Sequence, residues 1–144
     1  MKAIPFFLLI FTLSSCSKEA TPPDPIDPTL PSGKFTAARS GVFQSQNGYS
    51  AAGLAELGTD DANTQWLHLA PNFTASLSTG AVVLYLSKNQ NLSLNASGSF
   101  MRVEAVKTPG EHYYKIDPAV GDDFVYAILW CSSAGVQFGN APLQ

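Results

Sequence analysis

The chain has 144 residues, 45% hydrophobic and 13% charged, with a formal net charge of −3. That balance supports one folded core with a short tail and leaves no room for two full domains or a charge-dominated disordered chain. Acidic residues outnumber basic ones by 11 to 8, so the clustered Lys and Arg that nucleic acid and anionic headgroups require are missing, and no nucleic-acid partner is expected.

Residues 1–15 carry Lys2 and then the apolar run Ile4-Pro5-Phe6-Phe7-Leu8-Leu9-Ile10-Phe11. This run is far shorter than the roughly 20 residues a membrane-spanning helix needs, and it reads as the core of a secretion signal. The following Leu13-Ser14-Ser15-Cys16 resembles the lipobox of bacterial lipoproteins. The resemblance implies cleavage before Cys16, a diacylglycerol on its thiol and an acyl chain of the palmitate kind on its freed amine. Two or more chains make a stable membrane anchor where one is marginal. The competing reading is an ordinary signal with an incidental cysteine.

Residues 16–33 are expected to be a lipid-anchored spacer. Five prolines fall between Thr21 and Pro31; they forbid helix and sheet interior and favour an extended tether of about 35 to 45 Å. Ser17-Lys18-Glu19 resembles the short acidic signals that send lipoproteins of the Bacteroidetes group to the outer surface. The expected location is the bacterial cell envelope, on the outer membrane, facing either the periplasm or the medium.

From Lys34 to Gln144 the hydrophobic pattern has period two, with Gly, Pro, Asn and Asp as punctuation. In chain order the strands expected are 41–46, 49–57, 65–69, 73–76, 81–87, 99–107, 112–117, 124–132 and 135–138. Turn signals at Gly58-Thr59-Asp60-Asp61, Ser78-Thr79-Gly80, Asn89-Gln90-Asn91, Thr108-Pro109-Gly110 and Gly121-Asp122-Asp123 separate the longer ones. The fold class that follows is all-β: an antiparallel β-sandwich or partly closed barrel of about eight or nine short strands. Phe124 to Cys131 is apolar on both faces, so it should be a central strand covered on two sides.

Chemistry-bearing residues are few. With Cys16 committed to lipid, Cys131 is the one remaining thiol, and no intramolecular disulfide can form. Cys-x-x-Cys, the phosphate-binding glycine loop, His-Glu-x-x-His and Gly-x-Ser-x-Gly are all absent. A stand-alone enzyme is therefore not the expectation. Three readings of Cys131 stay open: a buried small hydrophobe, an intermolecular disulfide partner, or a redox thiol and soft ligand for haem iron. His68, His112 and Met101 are the candidate second ligands in the last case. His68, alternating with Trp66, reads as a half-exposed strand histidine, and His112 as an edge residue beside Glu111. Tyr113, Tyr114, Tyr126 and Trp130 are core aromatics, or a carbohydrate or haem platform where exposed.

Phe73, Val83-Leu84-Tyr85-Leu86-Ser87, the segment 110–116, Val125-Tyr126-Ala127-Ile128-Leu129-Trp130-Cys131 and Val136-Gln137-Phe138-Gly139-Asn140-Ala141-Pro142-Leu143 together resemble the DM-thirteen domain, over about residues 40–143. The resemblance implies a β-rich electron-transfer module with a redox or haem-ligating role for Cys131 and a redox protein partner. Two departures stand out: Gly80-Ala81-Val82 replaces the family's Gly-Pro-Asp, and Asn47-Gly48-Tyr49 replaces an early histidine segment. The competing function is a binding or adhesion module for glycan or protein, with an inert cysteine and with contacts through loops 89–95 and 121–123.

Overall fold

The computed structural model describes residues 29–144; the expected signal segment, Cys16 and the expected spacer up to Pro28 lie outside the described residues. The strands are β1 (Thr36–Val42), β2 (Gln44–Ser45), β3 (Ala51–Ala52), β4 (Leu54–Thr59), β5 (Gln65–Leu69), β6 (Thr74–Ala75), β7 (Val82–Ser87), β8 (Phe100–Ala105), β9 (His112–Lys115), β10 (Tyr126–Cys131) and β11 (Val136–Pro142). Every pairing between them is antiparallel. The protein is all-β and sandwich-like, as the period-two pattern requires.

One sheet runs β1-β4-β5-β9 and the other β2-β11-β10-β7-β8, with a short β3-β6 ladder besides. β1 and β2 are separated by Phe43 alone, so a single stretch of chain leaves one sheet and enters the other there, the corner device of closed β architectures. Ser40 and Gln144 reinforce this side, each amide donating to the other's carbonyl at 3.0 Å. The approach is close: a Cβ on Gly41 would stand 2.0 Å from the Pro142 carbonyl oxygen. The opposite side has no such ladder. Among the described residues the outer edges of β8 and β9 pair with nothing, which leaves an open seam.

The core lies between the sheets, with Leu57, Leu67 and Leu69 on one side and Leu84, Leu86 and Leu129 on the other. β10 is the middle strand of five. Its Ala127, Leu129 and Cys131 face this core, and Ile128 faces a second cluster with Val83, Tyr85 and Leu92 on the outer side. Burying each such aliphatic side chain contributes about 1.5–3 kcal/mol. The half-buried Tyr126, Trp130 and Phe100 pack on the outer cluster.

Three strand expectations are corrected. The run 49–57 is cut at Gly53, whose φ of +102° suits glycine and whose position leaves 2.5 Å between a Cβ and the Phe73 backbone, so β3 and β4 are separate. The last strand continues past Phe138 to Pro142, because a bulge opposite Leu129 and Trp130 carries the ladder through Gly139, which sits against Ala51. The first strand starts at Thr36 rather than Gly41, since its small, mostly exposed residues are held by register with β4 and not by a buried face. Next to the boundary expected at Lys34, the chain is already hydrogen-bonded to the body. The Ser32 amide donates to Asp60 at 2.9 Å and the Lys34 amide to Asp61 at 2.8 Å, which docks residues 32–34 there.

Candidate functional site

Cys131 ends β10 with no exposed surface. Its Sγ lies 3.3 Å from the Ser133 hydroxyl and 3.8 Å from that of Thr79. The Ser133 hydroxyl pulls the thiol below its ordinary pKa; burial opposes this, and the Ala134 backbone and Thr79 hydroxyl add to the lowering. These neighbours are neutral dipoles, and none is a cation. The candidate second ligands do not converge on the sulfur. Met101 pairs with Leu86, which pairs with Ala127, four residues along β10 from Cys131 and so about 13 Å away along the strand. His68 and His112 belong to the other sheet. A haem held by Cys131 and any of the three does not fit these residues. Because Sγ is reached only when the strand end opens, thiol reagents should modify Cys131 in the native domain at least about a hundredfold more slowly than in denaturant; mass spectrometry of timed labelling reads this, and comparable rates would show the burial to be wrong.

The other sheet assembles a cluster that period-two patterning does not reveal. Its register lines up Ser40, Glu56, His68 and Tyr113 across four strands. His68 Nδ1 meets Glu56 Oε2 at 2.7 Å, and Nε2 meets Glu111 Oε1 at 2.9 Å. The Tyr113 ring stacks on the imidazole at 4.3 Å between centroids, and Phe35 contacts both rings edge-on at 5.5 and 5.7 Å. His68 is consequently only 7% exposed, a correction to the half-exposed residue expected. The cover comes from Phe35 and Tyr113, and the strap of residues 32–35 that carries Phe35 is held by Asp60 and Asp61. Asp60 accepts from the amides of Ser32, Ala62 and Thr64 and from the Trp66 indole. His112 lies on the edge strand β9, as expected, with Nε2 donating to the Thr108 carbonyl at 2.8 Å.

Tyr113 also belongs to the seam. Between β8 and β9 lies an open groove of about 410 Å³, lined by Thr29, Val103, Glu104, Tyr113, Tyr114 and Lys115. Burial and then the Glu104 charge push the Tyr114 phenol up to about 12, so it stays a neutral hydrogen-bonding group at ordinary pH. The Tyr113 phenol is raised as well, by burial first and then by the charges of Glu111 and Glu56. Two tyrosines, one carboxylate and one ammonium thus flank a concave surface at an unpaired strand edge.

Sequence reasoning singled out Tyr113, Tyr114 and His68 but missed Glu56, Glu104 and Phe35. The signal available for Glu56 was its place as an outward-facing acid on a strand adjacent to that of His68; pairing partners, however, are not encoded locally. Among the described residues no group of three or more His, Cys, Asp or Glu is arranged to hold a metal ion, since the two carboxylates sit on opposite nitrogens of one ring. Compared with known protein families, curated proteins and solved structures, the chain has no match.

Proposed function

We propose that this protein is a membrane-anchored, non-catalytic binding module of the bacterial cell envelope and that the groove between β8 and β9 is its binding site. The observation that carries this reading is the seam itself. The two sheets are joined at β1, β2 and the C-terminal residues but stand apart where Tyr113 and Tyr114 lie. Concave surfaces with aromatic walls and a few polar groups are where small ligands bind. An oligosaccharide is the class that suits them best: tyrosine rings offer flat apolar faces to the sugar, and Glu104, Lys115 and the phenols offer partners for its hydroxyls. The lipobox-like Leu13-Ser14-Ser15-Cys16 supports the anchor. The DM-thirteen resemblance favours electron transfer through Cys131 instead; the buried sulfur and the dispersed ligand candidates weigh against that alternative.

The test uses the mature chain with Cys16 replaced by serine, screened against envelope polysaccharide fragments and followed by titration calorimetry. Wild type should bind a saccharide, Tyr114→Ala should lose at least about tenfold in affinity, equivalent to 1.4 kcal/mol, and Cys131→Ser should bind as wild type. Tyr114→Phe, which keeps the packing and removes only the phenol, separates loss of a contact from loss of the fold. Equal binding by wild type and Tyr114→Ala, or the absence of any bound saccharide, would remove the groove from consideration.

A further inference from the structure

We infer that Glu56, His68 and Glu111 form a one-proton lock that holds the strap of residues 32–35 on the domain and sets the Tyr113 ring in the groove wall. The inference starts from the valence of an imidazole. A neutral ring has one N–H and one lone pair, so it satisfies one carboxylate and turns a lone pair toward the other. Here both nitrogens stand at hydrogen-bond distance from a carboxylate oxygen, 2.7 and 2.9 Å. The arrangement closes only with an additional proton in the cluster, carried by an imidazolium that donates twice or by one of the two carboxyls.

The surroundings give that proton structural leverage. The titratable groups facing the ring are Glu56 from β4, Glu111 from the segment before β9 and Tyr113 from β9 itself. From the strap comes Phe35, preceded by Lys34, whose amide is bound to Asp61. Among the described residues the ion pairs of Lys88, Arg102 and Lys115 go to other acids, so His68 is the partner that Glu56 and Glu111 share. Removing the extra proton leaves two carboxylates around one neutral ring. Glu111 is the partner that leaves more readily, because its side chain is 49% exposed against 22% for Glu56 and its other contact is the long 3.5 Å hydrogen bond from the Tyr113 hydroxyl. Its departure unpins the segment leading into β9 at His112 and loosens the ring stack of His68, Tyr113 and Phe35. The lock therefore connects a proton both to the seam groove and to the point where the chain enters the folded body. It stands on the ring geometry and does not depend on what the groove binds.

The experiment is a pH titration by nuclear magnetic resonance of the mature chain with Cys16 replaced by serine. In the locked form both His68 nitrogens should show the protonated signature, or one should, paired with a protonated Glu56 or Glu111 carboxyl. As pH rises, the Phe35 and Tyr113 ring signals should move with the same midpoint as the cluster, and exchange protection of the Lys34 amide, corrected for its intrinsic rate, should fall at least about fivefold. Glu111→Gln is the decisive variant, since its carboxamide donates to an unprotonated imidazole nitrogen and restores the closed arrangement without the extra proton. In that variant the pH-linked movement of Phe35 should vanish while the strap stays docked. His68→Gln should lose the transition together with the protection. The lock is overturned if the Phe35 signals ignore the cluster's titration in wild type, if no second proton is found, or if Glu111→Gln titrates like wild type.

Discussion

Leu129→Ala is expected to lower the unfolding free energy by about 2–5 kcal/mol, a large share of the roughly 5–15 kcal/mol that holds a domain folded. Leu129 has no exposed surface and sits on the middle strand of the five-stranded sheet, between Leu84 of β7 and Gly139 of β11. Its row on β10 is otherwise small, Ala127 and Cys131, so no neighbour on its own strand can swing in to fill the space. The glycine opposite cannot fill it either, because its backbone is already pressed against Ala51. A cavity therefore persists, which puts the loss in the upper part of the range. Denaturant titration of wild type and variant, read by Trp fluorescence, measures it; a loss below about 1 kcal/mol would mean that the core relaxes freely around this site.

The second large effect falls on the strap. Asp60→Asn is expected to loosen residues 32–35 at neutral pH, because each carboxylate oxygen accepts from two N–H groups, Oδ1 from Ala62 and Thr64 and Oδ2 from Ser32 and Trp66. Whichever way the amide is turned, its NH₂ faces two donors, and two hydrogen bonds are lost along with the charge that strengthened the others. With the NH₂ on the Ser32 side the strap loses that anchor, and with it on the Ala62 side the Ser32 amide keeps only a neutral acceptor; either way the strap is held less tightly and Phe35 lifts more readily from His68 and Tyr113. Acid should reproduce the change in wild type. Burial pushes the Asp60 carboxyl up, but the hydrogen bonds from Ser32, Thr64, Trp66 and Ala62 outweigh it and hold it below the ordinary 3.8. A folded-state value below the unfolded one means the stabilisation is full above about pH 3.8 and is lost as pH falls through the lowered value. Trp66 should report both events, through faster exchange of its indole N–H. An Asp60→Asn protein with unchanged indole exchange and Ser32 protection would show that the strap is held by its ring contacts and by Asp61.

The apolar Trp66, Leu67 and Leu69 between polar turns were enough to place β5 at the bounds observed, and the two-sided apolarity of 124–131 was enough to make β10 central. Both are properties of a strand that reads on its own residues. Where the chain departs from alternation, as at Gly53 and at the bulge near Gly139, the decisive contacts are with Phe73 and Ala51, distant in sequence, and local pattern misleads. The same holds for Thr36–Val42, whose side chains bury little and whose strand exists because β4 and the C-terminal residues hold it.

What the sequence alone determined is the class of structure: an all-β domain, short antiparallel strands, one thiol from Lys34 onward, and a composition without basic clustering. Those follow from composition and period, which need no knowledge of partners. The tertiary structure decided which strands became neighbours, and with that everything at the candidate site. Glu56 and Glu111 lie 12 and 43 positions from His68 and reach it only through register. The seam opens at β8 and β9 because closure elsewhere used the chain's two other edges. Cross-strand contact depends on pairing and offset, quantities that arise when sheets assemble and that no single stretch of residues carries.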